Sequence, residues 1–362
     1  MKSIFKHIVA LFVLMFSFVV VSGAQNLSLF ESANCYIVFK TGTYKFKTVA
    51  GNSSDSVGAV ASCEVLWESF GTNVTPRVGN LVSDVSYEDG YITFKTAETF
   101  KEGNAVIAAK DAYGKILWSW HIWFTDQPRG QAYFNNAGIM MDRNLGATSA
   151  TLGDVGALGL LYQWGRKDPF LGSSSFSFYT FAKSTITWPS PVESDSSNGT
   201  IEYATSYPTT FITGNRYNED WYYTGSESTD DTRWTTSDKA KSIYDPCPTG
   251  WRVPDGGKDG IWTKAKGSSS TFENTYDVTN EGMNFSGKFG EAPTIGYPAS
   301  GSREYYDGSL YGVGSVGYYW SASPGILNSN YAYYLLFNNN GYVYPSPSNN
   351  RASGLSVRCL RE

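Results

Sequence analysis

GYYWSASPGILNSNYAYYLLFNNNGYVYPSPSNNRASGLSVRCLRE, residues 317–362, mixes two kinds of chain. Tyr331–Phe337 (YAYYLLF) and Leu355–Leu360 (LSVRCL) are apolar and aromatic enough to predict strands of a packed sheet. Asn340-Gly341 is the dipeptide that a type I′ hairpin turn prefers, because both central residues need positive φ. The reading is a hairpin of about 331–337 against 342–346, followed by a closing strand near 354–360. Tyr, Ser and Asn crowd the remaining positions. Tyr gives large contact area for little lost entropy, and Ser and Asn adapt their hydrogen bonding, so the segment predicts a binding face carried by a rigid sheet. The competing reading is ordinary polar loop.

Working outward, the chain begins with a targeting segment. Lys2 and Lys6 precede the apolar run Ile8–Val21, and Ser22-Gly23-Ala24 offers small residues for cleavage before Gln25. No later run is long and apolar enough to span a bilayer, so the mature chain of about 25–362 is expected to be exported, without a transmembrane segment. Removing two lysines and no acid takes the formal charge from −5 to −7 (−5 − 2). A mildly acidic chain is a poor partner for nucleic acid. Aromatic residues make up 16% and charged residues 17%, a balance that suits a folded binding module better than a disordered stalk.

Residues 27–126 predict an all-β unit. CYIVF (35–39), GTYKFK (42–47), SCEVLWE (62–68), YITFK (91–95), NAVIAAKD (104–111) and ILWSWHIWF (116–124) alternate or run apolar, and Asp89-Gly90 and Tyr113-Gly114 mark hairpin turns. The spacing predicts an immunoglobulin-like sandwich. Within ILWSWHIWF, Trp118, Trp120 and His121 are read as a strand alternating between core and surface rather than as a ligand site. The Pro- and Gly-containing DQPRGQ (126–131) is the expected boundary.

Residues 132–362 are rich in Gly, Ser and Tyr, with few helical patterns. One helix is predicted at about 155–167 (VGALGLLYQWGRK) with Thr151 or Asp154 as cap, and another near 257–267 around Ile261, Trp262 and Ala265. Ser173 to Lys239 is long and polar, of a kind that is functional or mobile in compact domains. Four cysteines in an exported chain suggest disulfides, and three pairings exist. Keeping each pair inside one domain favours Cys35–Cys63 and Cys247–Cys359; the alternative is free buried thiols, more so for the first pair.

MDRNLGATSA (141–150), GLLYQWGRKDPF (159–170), DPCPTGWRVP (245–254), GYYWSAS (317–323) and SVRCLRE (356–362) occur in this order. Together they resemble the Fibrobacter succinogenes major paralogous domain family of exported bacterial proteins, over roughly 135–362. Residues 34–124 resemble the β module that often precedes this domain in Bacteroidales surface proteins. The resemblance implies an α+β chain: an N-terminal immunoglobulin-like sandwich, then a C-type-lectin-like domain related to formylglycine-generating enzymes. It implies that Cys247 pairs with Cys359, that the ligand face lies on C-terminal loops, and that the protein sits at the cell surface or on a fimbrial tip.

Within those motifs, Arg143, Arg166, Arg252 and Arg358 are read as fixing loops through carbonyls or carboxylates such as Asp142, Asp168 and Asp245, rather than as an anion site. Trp164, Trp251 and Trp320 are read as core anchors. The expected ligand contacts are Tyr305, Tyr306, Tyr311, Ser323, Asn328, Asn330, Tyr331, Asn338, Asn340, Tyr342, Tyr344 and Asn349. Catalysis lacks an inventory: His121 is the single histidine after residue 24, which disfavours Ser-His-Asp, Cys-His and histidine-built zinc sites. Among carboxylates, Glu219, Asp220, Asp230, Asp231, Asp255 and Asp259 show no spacing that singles out a hydrolytic pair. Residues 318–353 contain no Asp or Glu, which argues against calcium there; Asp255–Asp259 and Ser228–Asp231 are the places where a structural calcium would fit. The expectation is a non-enzymatic adhesin or recognition module with no cofactor and no catalytic metal, binding a glycan or protein receptor beside other fimbrial or surface subunits. The alternative is a structural subunit of a surface polymer, and a carbohydrate-active enzyme ranks third.

Overall fold

A computed structural model describes residues 23–215, 218–223, 225, 230–267, 276–326 and 330–362. Strands dominate. Among the described residues there are two α-helices of six residues each and two short 3-10 turns.

Described residues 23–124 supply eight strands: β1 (Gln25–Asn26), β2 (Cys35–Val38), β3 (Thr43–Lys47), β4 (Ser62–Ser69), β5 (Val82–Glu88), β6 (Tyr91–Thr96), β7 (Gly103–Lys110) and β8 (Ile116–Phe124). They form two four-stranded sheets, in the orders β1-β3-β6-β5 and β2-β8-β7-β4. Asp89 and Gly90, both at positive φ (48° and 78°), close the β5–β6 hairpin as a type I′ turn requires. The two sheets face each other across Tyr36, Val38, Tyr44, Phe46, Ile92, Phe94, Ile107, Trp120 and Ile122, in a β-sandwich-like arrangement.

The second sheet differs from expectation. Alternation along β8 is between two cores, not between core and surface. Trp118, Trp120, Ile122 and Phe124 enter the sandwich core, whereas Trp123, with Cys35, Trp67 and Val106, enters a second core built with Met141, Leu145, Trp164, Trp320, Leu355 and Val357. Seven of the nine β8 residues are buried, which one solvated face would not allow. Polar contacts run along the same seam: the Trp123 indole donates to the Ala147 carbonyl (2.9 Å), Asn104 Nδ2 to Gly146 (2.8 Å) and Asn34 Nδ2 to Ile243 (2.7 Å).

The C-terminal half is organised on a sheet running Phe170–Leu171, Leu160–Gln163, Gly354–Ser356, Val316–Pro324, Tyr331–Asn338, Val343–Tyr344. It too is covered on both sides. Trp320, Ala322, Ala332 and Tyr334 face the shared core, and Tyr319, Leu335 and Phe337 face Ile261 and Trp262 of the helix Ile261–Lys266. A smaller sheet places Leu360–Arg361 between Trp251–Arg252 and Gly138–Met141. There Cys247 and Cys359 form a disulfide, with Cα atoms 6.1 Å apart, inside the shared core.

Three further expectations are corrected. Cys35 and Cys63 are free thiols. They lie on β2 and β4, the two edges of one sheet, so three strand spacings, about 14 Å, separate them. The helix predicted over 155–167 is a 3-10 turn, Val155–Ala157, capped by Asp154, followed by the strand Leu160–Gln163. Gly159 and Gly165 take positive φ (72° and 83°) and break any helix, while the buried run between them pairs in the sheet. The Asn340-Gly341 turn is not type I′. Gly341 alone has positive φ (80°), and its N–H donates to the Asn338 carbonyl, closing a type I turn with a bulge. The hairpin register is nonetheless Phe337 opposite Val343.

Two outcomes test this architecture. Trp123→Ala should cost about 3–5 kcal/mol and lower one cooperative unfolding transition of the whole chain; two separated transitions would show that the halves are independent. Replacing Cys247 and Cys359 together with Ala should cost about 4–5 kcal/mol, and thiol titration of the unreduced, denatured protein should count two thiols per chain.

Candidate functional site

The tyrosines are spread along the C-terminal sheet and its hairpins, from Tyr331 at the start of one strand to Tyr342 and Tyr344 beside its end. A turn between the strands Ser302–Arg303 and Leu310–Tyr311 carries Tyr305 and Tyr306, whose rings meet edge to face at 5.3 Å. Arg303 holds the turn from beneath. Its Nε donates to the Gly308 carbonyl (2.9 Å), and its guanidinium lies among the rings of Phe170, Phe181 and Phe211 at 4.5–5.5 Å. Burial pushes the Arg303 pKa down to about 9, so the cation persists at neutral pH.

From this turn the aromatic surface continues across the sheet. Tyr311 is exposed, and Tyr318 lies within electrostatic reach of both Tyr311 and Glu304. Tyr318 sits opposite Leu336, and Leu336 opposite Tyr344, so three neighbouring strands present one row. Tyr342 stacks beside Tyr344 with centroids 6.3 Å apart. On the other flank Tyr331 faces the Glu219 carboxylate and Tyr305. Tyr306, Tyr311, Tyr342 and Tyr344 are 49–58% exposed, which is high for such large rings on an ordered surface. Carboxylates border the face: Glu304 and Asp307 push the Tyr306 phenol above its ordinary range.

The predicted site residues divide in three groups. Tyr305, Tyr306, Tyr311, Tyr331, Tyr342 and Tyr344 lie on this surface, although Tyr311, Tyr331 and Tyr344 belong to strands rather than to loops. The polar residues are engaged in their own turns. Ser323 Oγ accepts the Gly256 N–H (2.9 Å), Asn338 Oδ1 accepts from Asn340 and Tyr342, and Asn349 Oδ1 accepts from Asn350. Asn330 accepts the Arg351 N–H at its carbonyl, Asn340 is exposed at the hairpin tip, and Asn328 lies outside the described residues. Tyr318, Leu336 and Glu304 were not singled out by sequence, and Glu219 was considered only as a hydrolytic carboxylate. In GYYWSAS, Tyr318 shares the face of Trp320, two residues on, and packs partly against the shared core.

The arginines of the motifs are structural. Arg143 pairs with Asp126 and Asp142, Arg252 with Asp255, and Arg166 donates to Gln163 and to the carbonyls of Thr210 and Ala204. Arg358 donates to Asn144 and lies 3.8 Å from the Tyr297 ring centroid. Asp168 binds Lys167 and Ser119 rather than Arg166, and Asp245 accepts the N–H groups of Cys247 and Val253. Trp164 and Trp320 are fully buried; Trp251 is partly buried against Arg361.

The carboxylates considered for hydrolysis are dispersed or neutralised. Asp220 is buried between Arg233 and Arg351, Asp231 pairs with Arg351, and Asp259 is exposed beside Lys258. Among the described residues no three His, Cys, Asp or Glu side chains are grouped to hold a metal ion; Ser228 is outside them. No known family model, curated protein or solved structure matches this chain. What the tyrosine face offers is therefore set by its side chains: flat apolar rings, phenol hydroxyls and a rim of negative charge.

His121 lies away from this face, in the seam between the halves. Its Nε2–H donates to Asn104 Oδ1 (2.8 Å), and burial pushes its pKa down from 6.5 to about 3. The unfolded ring protonates near 6.5 while the folded one stays neutral, so stability present above pH 6.5 is lost as pH falls. At pH 5 the loss is about 2 kcal/mol. Asp245, raised by burial to about 6, acts oppositely over the same range. The stability difference between the parent and His121→Gln should therefore shift by about 2 kcal/mol between pH 7 and 5, read by denaturant titration at each pH. An unchanged difference would mean that the ring titrates in the folded state.

Proposed function

We propose that the protein is an exported, surface-displayed recognition module or adhesin that binds a glycan or protein receptor through the tyrosine face. In this reading the N-terminal pair of sheets is an immunoglobulin-like sandwich and the remainder a C-type-lectin-like domain. The Cys247–Cys359 bridge, which ties the DPCPTGWRVP segment to the last strand, supports it. The single observation that carries the proposal is the exposure of Tyr306, Tyr311, Tyr342 and Tyr344 on a surface whose backbone is fixed by strands and by the buried Arg303. Rings carried by an ordered frame spend little ordering entropy on binding, which favours contact with a partner.

The test is a glycan array and a receptor screen with the full-length protein, run with and without chelator. Tyr342→Ala and Tyr344→Ala should each weaken binding by about 1–2 kcal/mol and change stability by less than about 0.5 kcal/mol. Loss of stability matching the loss of binding would make these rings structural. Binding abolished by chelator would overturn the metal-free reading. Absence of any ligand would favour the structural subunit.

A further inference from the structure

The seam between the halves opens at one end into a groove that the tyrosine face does not include. One wall is the β7–β8 hairpin, with Lys110, Tyr113, Lys115 and Ile116; the other is the helix Ile201–Ser206 and its flanks, with Thr200, Tyr203 and Tyr207. The groove encloses about 650 Å³, and a second chamber of about 290 Å³ continues from it past Lys115 and Glu202 towards Leu117 and Thr205. These volumes fall within, or close to, the range of small-ligand sites, about 300–1,000 Å³.

Both walls are rigid. The hairpin tip is closed by the Asp111 carboxylate, which accepts the N–H groups of Tyr113 and Lys115 (2.9 Å each), with Gly114 at φ 84°. On the facing wall the buried Arg166 guanidinium donates to the Ala204 and Tyr207 carbonyls and fixes the end of the helix. Tyr113 is 96% exposed and Tyr207 53%, and the Tyr203 and Tyr207 rings stand 4.4 Å apart. A fully solvated ring on a tightly closed turn contributes nothing to the core. Around the rings stand the hydroxyls of Ser197, Thr200 and Ser206.

The charges define the ligand class. Lys115 pairs with Glu202 across the groove (2.6 Å), and Lys110 pairs with Glu64 (2.5 Å). Each cation at the groove has its own carboxylate, so the site has no uncompensated charge for an ionic ligand. Aromatic faces, hydroxyls and paired charges that donate and accept hydrogen bonds match the alternating C–H faces and hydroxyl edges of a sugar chain. We infer that this groove is a second ligand site, taking a neutral linear saccharide between Tyr113 and the Tyr203–Tyr207 pair.

The test is calorimetric titration of the full-length protein with neutral linear hexasaccharides of glucose (α- and β-linked), xylose, mannose and N-acetylglucosamine. At least one should bind, and Tyr113→Ala and Tyr207→Ala should each weaken it about tenfold or more, with the thermal midpoint of Tyr113→Ala unmoved. Absence of binding by all of them would overturn the inference. So would affinity that survives both substitutions. Affinity lost in Tyr344→Ala but kept in Tyr113→Ala would assign the sugar to the tyrosine face, leaving that proposal standing and this one refuted.

Discussion

The strand Ile116–Phe124 is wedged between two hydrophobic cores, and the remaining architecture is arranged to satisfy it. Its even-numbered side chains complete the N-terminal pair of sheets, and Trp123 reaches into the C-terminal half. A strand buried on both faces needs hydrogen-bond partners for the polar groups it carries inward. Ser119 and His121 Nε2 find them in Asp168 and Asn104, and the Trp123 indole in Ala147, whereas Trp120 Nε1 and His121 Nδ1 are buried without one. Packing and polar satisfaction therefore fix the orientation of one half on the other, and the seam is an interior rather than a linker.

The C-terminal half solves a related problem with charge. Long irregular segments between residues 173 and 239 need anchors, and buried arginines supply them. Arg233 and Arg351 meet Asp220 beside Trp164, Arg166 collects carbonyls around a helix end, and Arg303 sits in its ring of phenylalanines. Removing one partner of such a buried pair strands the other charge, so these contacts give the loops a defined shape even where their net stabilisation is small. The exposed tyrosines inherit that definition.

Much of this was legible in the residues. Six of the eight N-terminal strands follow from runs that alternate or are continuously apolar, and the Asp89-Gly90 turn from its need for positive φ. The helix expected over 155–167 failed because GLLYQW is apolar except for Gln163, and a buried strand and a buried helix look alike in such a run. The Cys35–Cys63 pairing failed because strand order, which puts these residues on opposite sheet edges, is a tertiary fact. The shared core had a signal that was underread: ILWSWHIWF carries large side chains at both parities, and a strand with a solvated face would not. For the candidate site, the tyrosines were legible by type, while the amides were not, since local turns had already engaged Asn338 and Asn349.

The sheet with two covered faces also sets how the molecule can change over generations. Positions such as Trp120 and Trp123 answer to different neighbours, so a change in either half is felt through the same strand, and the halves cannot be exchanged as modules without repacking it. The outward rings answer to neither core. Tyr306, Tyr342 and Tyr344 are therefore where the chain has latitude to diversify while its frame stays constant.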